Sequence, residues 1–240
     1  MENNPLSVVD GKIIRQHSRA AAETQFIARV FGWMSIALLV TGLTAAYVIS
    51  SEALLYFIAS NPYIFYGLII GELALVFALS GWINRMSATT ATAVFLFYAC
   101  FNGLTLSLLM LIYTGESIFG TFAITAGTFA IMAFYGYTTK SDLTKLGNLL
   151  LMALVGLILA SIVNIFLASS MMYWIITYVG VLIFTGLIAY DTQQIKNMNM
   201  VAAEGTETYT KMAILGALRL YLDFINLFIY LLRILGSRRN

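Results

Sequence analysis

The polar positions of this chain fall in short clusters, and between them lie seven apolar runs at 27–50, 63–83, 89–112, 117–138, 147–168, 173–195 and 213–235. Each is close to or beyond the roughly 20 residues that a helix needs to cross a bilayer core. Backbone groups in lipid must be satisfied within their own segment, so continuous runs of this length predict helices. The connections are short, and only 196–212 reads as a longer polar loop. No internal repeat and no second domain is visible. The expected organisation is a polar N-terminal tail over 1–25, one seven-helix membrane domain over 26–236, and a short basic tail over 237–240. The fold class is all-α and polytopic, with no soluble globular domain.

Composition supports the bilayer as solvent. Hydrophobic residues make up 60% of the 240 residues and charged residues 10%, with a mean hydropathy of +0.88. Soluble domains carry about 25% charged residues. A net charge of +2, spread along the chain, gives nucleic acid no basic surface to bind. Cys100 is the lone cysteine and His17 the lone histidine, which removes disulfide frameworks and Cys/His zinc sites. No apolar segment precedes Phe26, so the first run is expected to remain as a span and not to be a cleaved signal peptide.

Lysine and arginine set the expected orientation. Lys12, Arg15, Arg19 and Arg29 precede or open the first run. Arg85, then Lys140 and Lys145, then Lys196 and Lys211 occupy every second connection. The alternate connections, 51–61, 113–116 and 169–172, hold none. That asymmetry predicts a multi-pass protein of the plasma (inner) membrane with a cytoplasmic N-terminus. Arg233, Arg238 and Arg239 oppose the pattern, because a seventh full span puts them outside. The segment 213–235 is long enough for a full span, and re-entry to the cytoplasm is the alternative.

Four charged residues fall inside the runs: Glu72, Asp191, Arg219 and Asp223. Each costs about 2.5–3.5 kcal/mol near a bilayer centre, so each needs a partner, a water path or a proton. Asp191 lies roughly 7 Å inside the end of the sixth helix and Asp223 roughly 10 Å inside the seventh from the same face. Facing each other, two such carboxyls cannot both ionise easily and titrate as a unit, suited to sensing pH or to binding a cation transiently. Arg219 precedes Asp223 by four residues and shares its helix face, so the two can pair. Arg219 can also reach back to the interface and leave Asp223 free. Glu72, near the middle of the second span, has no cation within two turns of its own helix. It is an ion-pathway candidate, and equally a neutral acid hydrogen-bonded between helices.

Weaker signals are a single GxxxG at Gly67 and Gly71, three asparagines (Asn102, Asn164, Asn226) expected to join helices, and Trp33, Trp82 and Trp174 near the interfaces. Enzyme readings fare poorly. A retinal protein needs a lysine inside the bundle, and a rhomboid-like protease needs an intramembrane base beside its serine; neither is present. Tyr190-Asp191 matches one element of intramembrane aspartyl proteases. Tyr221-Leu222-Asp223 lacks the glycines of the other, and with Pro5 and Pro62 the only prolines there is no Pro-Ala-Leu element. No catalytic residue is assigned.

The sixth and seventh runs carry a more specific pattern. AYDTQQIKNM followed by LGALRLYLDFINLFIYLLRILG resembles the C-terminal signature of the Bax inhibitor-1 family. FNGLTLS and YGYTTKSDLTKLGNLL are similar to its bacterial members, and the resemblance extends from about residue 25 to the end. It implies a seven-helix bundle with the last helix at the centre and the other six around it. It further implies that Asp191 and Asp223 form a pH-sensing pair gating a calcium leak, with calcium as permeant ion, held transiently, and no cofactor. An arginine near the cytoplasmic end of the second helix is expected to engage the pair in a closed form. Arg85, or the neighbouring position Asn84, falls there. Glu72 matches an acidic residue of that helix in similar proteins, whereas Arg219 replaces an expected small polar residue. Calcium prefers six to eight oxygens, so two or three carboxyls give the weak coordination that a leak requires.

Three functions follow as expectations. The first is a pH-sensitive calcium leak channel. The second is a non-conducting membrane protein that modulates a membrane protease or stress-response partner. The third is a proton-coupled solute transporter using Glu72 and the aspartates as a relay.

Overall fold

Helices form along the apolar runs and stop at capping residues. In the computed structural model the backbone is described for residues 5–198 and 205–239, and side chains from residue 21 onward apart from Phe65. Residues 1–4, 199–204 and 240, and the side chains of Lys12, Arg15, His17 and Arg19, lie outside the described residues. The described elements are α1 (Pro5–Ser50), α2 (Glu52–Ser60), α3 (Pro62–Trp82), a 3-10 turn (Ile83–Arg85), α4 (Ala88–Ser107), α5 (Leu109–Ile112), α6 (Gly115–Thr138), α7 (Thr144–Leu167), α8 (Ser170–Met198) and α9 (Glu207–Leu235). Ser51, Asn61, Ser87, Thr114 and Thr206 cap the helices that follow them, each accepting a backbone N–H of the first turn. Pro62 occupies the first turn of α3, where its missing N–H costs nothing.

Among the described residues seven stretches are long and apolar enough to cross a membrane: 21–50, 62–85, 88–112, 115–138, 144–167, 170–198 and 207–235. They coincide with the seven predicted runs and extend most of them by up to two turns. The expected loop at 196–212 is shorter than predicted, because α8 runs on to Met198 and α9 begins at Glu207. Lys196 is drawn back into the bundle, donating to the Tyr137 carbonyl at 3.1 Å with its ammonium 4.9 Å from that residue's ring centroid.

The last helix is uninterrupted over Glu207–Leu235, long and apolar enough for a full crossing, with no break at which it would turn back. Lys211 Nζ donates to the Met86 carbonyl at 2.9 Å, and Ala88 N–H donates to Glu207 Oε1 at 2.8 Å. These bonds tie the start of α9 to the 83–88 connection. Beyond its end, Thr114 N–H donates to the Ser237 carbonyl (3.1 Å), Arg239 N–H to the Ile112 carbonyl (2.8 Å) and Ser237 N–H to Ser117 Oγ (2.9 Å). The tail is thereby stitched to the connection between α5 and α6. Arg233, Arg238 and Arg239 therefore share an end of the bundle with the connections that lack lysine and arginine.

Helix α9 is the core. It packs along α1, α4, α6 and α8, while α3 leans on α4 and α7 on α8. This corrects the expectation of six helices around the seventh: four line it and two stand outside. Of the most apolar stretch of α9, 67% is buried in the protein, against 6% for α7. The outer pair is apolar almost all round, and the one acidic group of α3, Glu72, is turned to Thr105 of α4.

Glycines allow the close approaches. A Cβ on Gly136 of α6 would collide with the Ala189 backbone of α8, and one on Gly147 of α7 with the Tyr190 ring. On Gly103 of α4 it would meet the Thr41 carbonyl oxygen of α1 at 2.6 Å. Only half of the Gly67–Gly71 motif works this way: Gly71 faces Phe101, and Gly67 faces open space. The asparagines do not join helices as expected. Asn102 donates to Tyr98 and Asn226 to the Leu222 carbonyl within their own helices, and Asn164 accepts from Ser169 N–H in the α7–α8 turn. Each side chain found a local partner within one turn, which leaves nothing to bridge.

Two outcomes test this arrangement. Gly136→Ala is expected to destabilise the solubilised protein by about 1–3 kcal/mol, since its methyl meets backbone. Gly156→Ala, facing open space, is expected to hold or gain stability; thermal unfolding of both variants in detergent decides, and equal melting temperatures would refute the packing. In a Cys100→Ala background, Ser141→Cys and Ser237→Cys are expected to react with an impermeant maleimide from opposite sides of sealed vesicles. Labelling from one side would mean that α9 re-enters.

Candidate functional site

Asp191 and Asp223 come together on adjacent, antiparallel helices. Asp191 stands seven residues before the end of α8, about 10 Å along it. Asp223 lies sixteen residues into α9, about 24 Å along it. Both helices are longer than the runs that predicted them, so Asp223 is deeper in its helix than expected. The two carboxyl groups stand within hydrogen-bonding range of each other. Asp223 is 4% exposed, and its Oδ2 is buried with no hydrogen-bond partner. A carboxylate only accepts, so a hydrogen bond between two carboxyls requires a proton on one of them.

The cation at the pair is Arg219. Its Nη1 is 4.0 Å from Asp191 Oδ1, with the side chains 40% and 14% exposed respectively. The expected pairing of Arg219 with Asp223 along one helix is thus replaced by an ion pair across helices, because α8 brings Asp191 to the more open side of the arginine. Arg219 is one turn nearer the lysine-rich end than Asp223, so the site opens toward that end. With one proton on the pair, the two carboxyls and the guanidinium sum to zero charge.

Arg85 does not take the expected place. It is exposed at the end of the 3-10 turn and makes no ion pair among the described residues, and Asn84 beside it is exposed too. The Lys211–Met86 bond explains why: it holds this connection against α9 twelve residues, about 18 Å, before Asp223.

Glu72 also stands apart. Thr105 of α4 donates to its Oε1 at 2.6 Å, which makes it a polar bridge between α3 and α4. Nearby, Tyr221 of α9 shares a 2.7 Å hydroxyl–hydroxyl bond with Thr41 of α1, and its ring meets those of Phe95 and Tyr98 edge to face. Thr41 Oγ1 stands 2.9 Å from the carbonyls of both Ala37 and Ala99, so its single proton is shared between them while its oxygen accepts from Tyr221. The sequence reading missed this second polar cluster. Its only signal was a tyrosine two residues before Asp223, which a helix turns to the opposite face.

On the other side of Asp223 from Arg219 the bundle is apolar. Phe122 and Phe129 of α6 meet Phe224 and Phe228 of α9 edge to face at centroid distances of 5.2–6.2 Å. Beyond them lies an apolar cavity of about 100 Å³ between α1, α4, α6 and α9. The site is therefore a largely buried polar cluster, exposed mainly through Arg219 and bordered by phenylalanines on its other side.

The neighbours of Asp191 in AYDTQQIK hold the frame. Tyr190 packs on Gly147, and Gln193 accepts from Leu143 N–H (2.9 Å) while donating to the Ser141 carbonyl (2.8 Å). This clamps the α6–α7 connection onto α8. In that connection the hydroxyl of Thr144, together with its N–H at 2.9 Å, hydrogen-bonds Asp142 and holds its exposed carboxyl below the usual range. Among the described residues no group of three or more His, Cys, Asp and Glu side chains converges, so Asp191 and Asp223 are the carboxyl groups that this site offers a cation.

Comparison with known proteins agrees with the motifs. A family model described as "Inhibitor of apoptosis-promoting Bax1" matches residues 23–240. The chain is 49% identical over 222 residues to the inner membrane protein YbhL of Escherichia coli, covering 92% of this chain and 94% of that protein. It is likewise 49% identical over 218 residues to an uncharacterized protein of Borreliella burgdorferi (91% and 94% covered). With an uncharacterized membrane protein of Streptococcus pyogenes it shares 42% identity over 185 residues (77% and 80% covered). This multi-pass membrane protein belongs to the Bax inhibitor-1 family.

Proposed function

We propose that the protein is a pH-sensitive calcium leak of the plasma (inner) membrane, with its N-terminus in the cytoplasm and no catalytic activity. The observation that carries this reading is a buried carboxyl, Asp223, in hydrogen-bonding range of Asp191 with Arg219 as counter-ion. A proton shared by the pair draws α8 and α9 together. Its loss leaves two anions in contact, which repel unless a cation takes the proton's place. Proton and calcium thus compete for the same oxygens. Two carboxyls supply at most four of the six to eight oxygens that calcium prefers, and the rest come from water or carbonyl groups, so the ion binds weakly and passes on. In this reading the phenylalanine cluster beyond Asp223 is the closed barrier, and parting α6 from α9 opens it. Glu72, held by Thr105 at 2.6 Å, serves as a polar lining between α3 and α4.

The same apolar barrier favours a second reading: a non-conducting membrane protein that acts through a membrane protease or stress-response partner. Calcium flux into proteoliposomes of the purified protein, from about pH 5 to about pH 8, separates the two. A leak is expected to respond to pH, with less calcium needed for half-maximal flux as pH rises and protons compete less. Asp223→Asn and Asp191→Asn are expected to remove that pH dependence. Vesicles that stay tight at every pH would overturn the channel reading, and flux with an unchanged pH profile in both variants would overturn the carboxyl gate.

A further inference from the structure

At the end of the bundle where the tail is stitched, two adjoining cavities of about 460 Å³ and 390 Å³ open between α7, α8 and α9. They share Asn164 and Tyr173; Arg233 lines the first and Arg238 the second. The guanidinium of Arg233 sits 5.4 Å from the ring centroid of Tyr173 and 5.1 Å from that of Tyr230. Those contacts leave its N–H groups without an acceptor among the described residues. Neither arginine makes an ion pair there. Asn164 accepts from Ser169 N–H through Oδ1, which leaves its Nδ2 as a donor for the cavity. Donors thus gather in one place with no anion to receive them.

We infer that these cavities hold the phosphate group of an anionic phospholipid. A guanidinium presents a planar fork of donors that fits phosphate oxygens. The place suits a lipid better than a free ion. Arg233 is two residues from the end of its span, and Ile165, Phe166 and Ile175 beside the cavities are exposed for acyl chains to cover. Trp174, stacked on Tyr178 and half-exposed, belongs to the headgroup level. A lipid phosphate also answers the departure from the charge rule, since it neutralises arginines on the end of the bundle where that rule disfavours them. An anionic lipid is preferred to a zwitterionic one because its phosphate has no ammonium of its own as a neighbour.

Native mass spectrometry of the full chain, extracted from vesicles with equal phosphatidylglycerol and phosphatidylcholine, tests this. Wild type is expected to retain phosphatidylglycerol preferentially, and Arg233→Gln/Arg238→Gln to cut that preference about tenfold. Arg239→Gln, which lines a separate cavity with Glu116, is expected to leave it unchanged. An equal preference in wild type and double variant overturns the site, and an equal loss in Arg239→Gln reduces it to diffuse surface charge. Inorganic phosphate displacing the lipid at matched concentration would mean that the cavities take a free anion instead. Should the double variant not fold, Arg238→Gln alone decides, because that side chain is exposed: a reduced preference supports the site, and an unchanged one overturns it.

Discussion

A helix that carries Arg219, Tyr221 and Asp223 cannot be left facing lipid, and the rest of the bundle follows from that constraint. No water in the hydrocarbon core is available to such groups, so protein must surround them. Four helices close on α9, each meeting a different need. Helix α8 brings Asp191 to the carboxyl and to the arginine, α1 brings Thr41 to the tyrosine hydroxyl, and α4 and α6 bring aromatic rings. Hydrophobic burial does not drive helices together in lipid, so the cohesion rests on close packing and polar contacts. That is why the inner approaches are made at Gly103 and Gly136, where a single methyl group would push backbones apart.

The spans, the class of fold and the membership of Asp191 and Asp223 in one site were legible in the sequence, because each is set by run length or by a periodic position on a helix. What was not legible depends on which helix lies beside which. Arg219 was read either along its own helix toward Asp223 or back to the interface, and the structure turns it across to Asp191. Arg85 was placed by its sequence position near the end of a helix, yet the bond between Lys211 and Met86 fixes that end far from the pair. The cluster around Tyr221 involves residues 180 positions apart in Thr41 and Tyr221, and no local pattern announces such a contact. Lys196, read as a loop residue, and Gln193, read only as part of the family signature, hold neighbouring connections in place.

The two polar clusters on α9 point to opposite faces and differ in kind. The one at Tyr221 is a closed set of hydroxyls and carbonyls, satisfied without any change of protonation. The one at Asp223 leaves a buried oxygen without a partner, and such an atom costs free energy until something binds it or the helices shift. One face of the central helix is thus an anchor and the other a place where a small change in charge is felt by the whole interface with α8.

The most enclosed helix is made after the helices that enclose it. Synthesis proceeds from the N-terminus, so α1, α4, α6 and α8 are all in the membrane before α9 leaves the ribosome. They must stand apart, with their inner faces toward lipid or the insertion machinery, until it arrives. The short run after Leu235 then fastens the newcomer, since Ser237 and Arg239 bond to a connection completed more than a hundred residues earlier. A chain shortened by this one segment would lack its core rather than an appendage. The tail of a few residues serves as the clasp that closes the assembly.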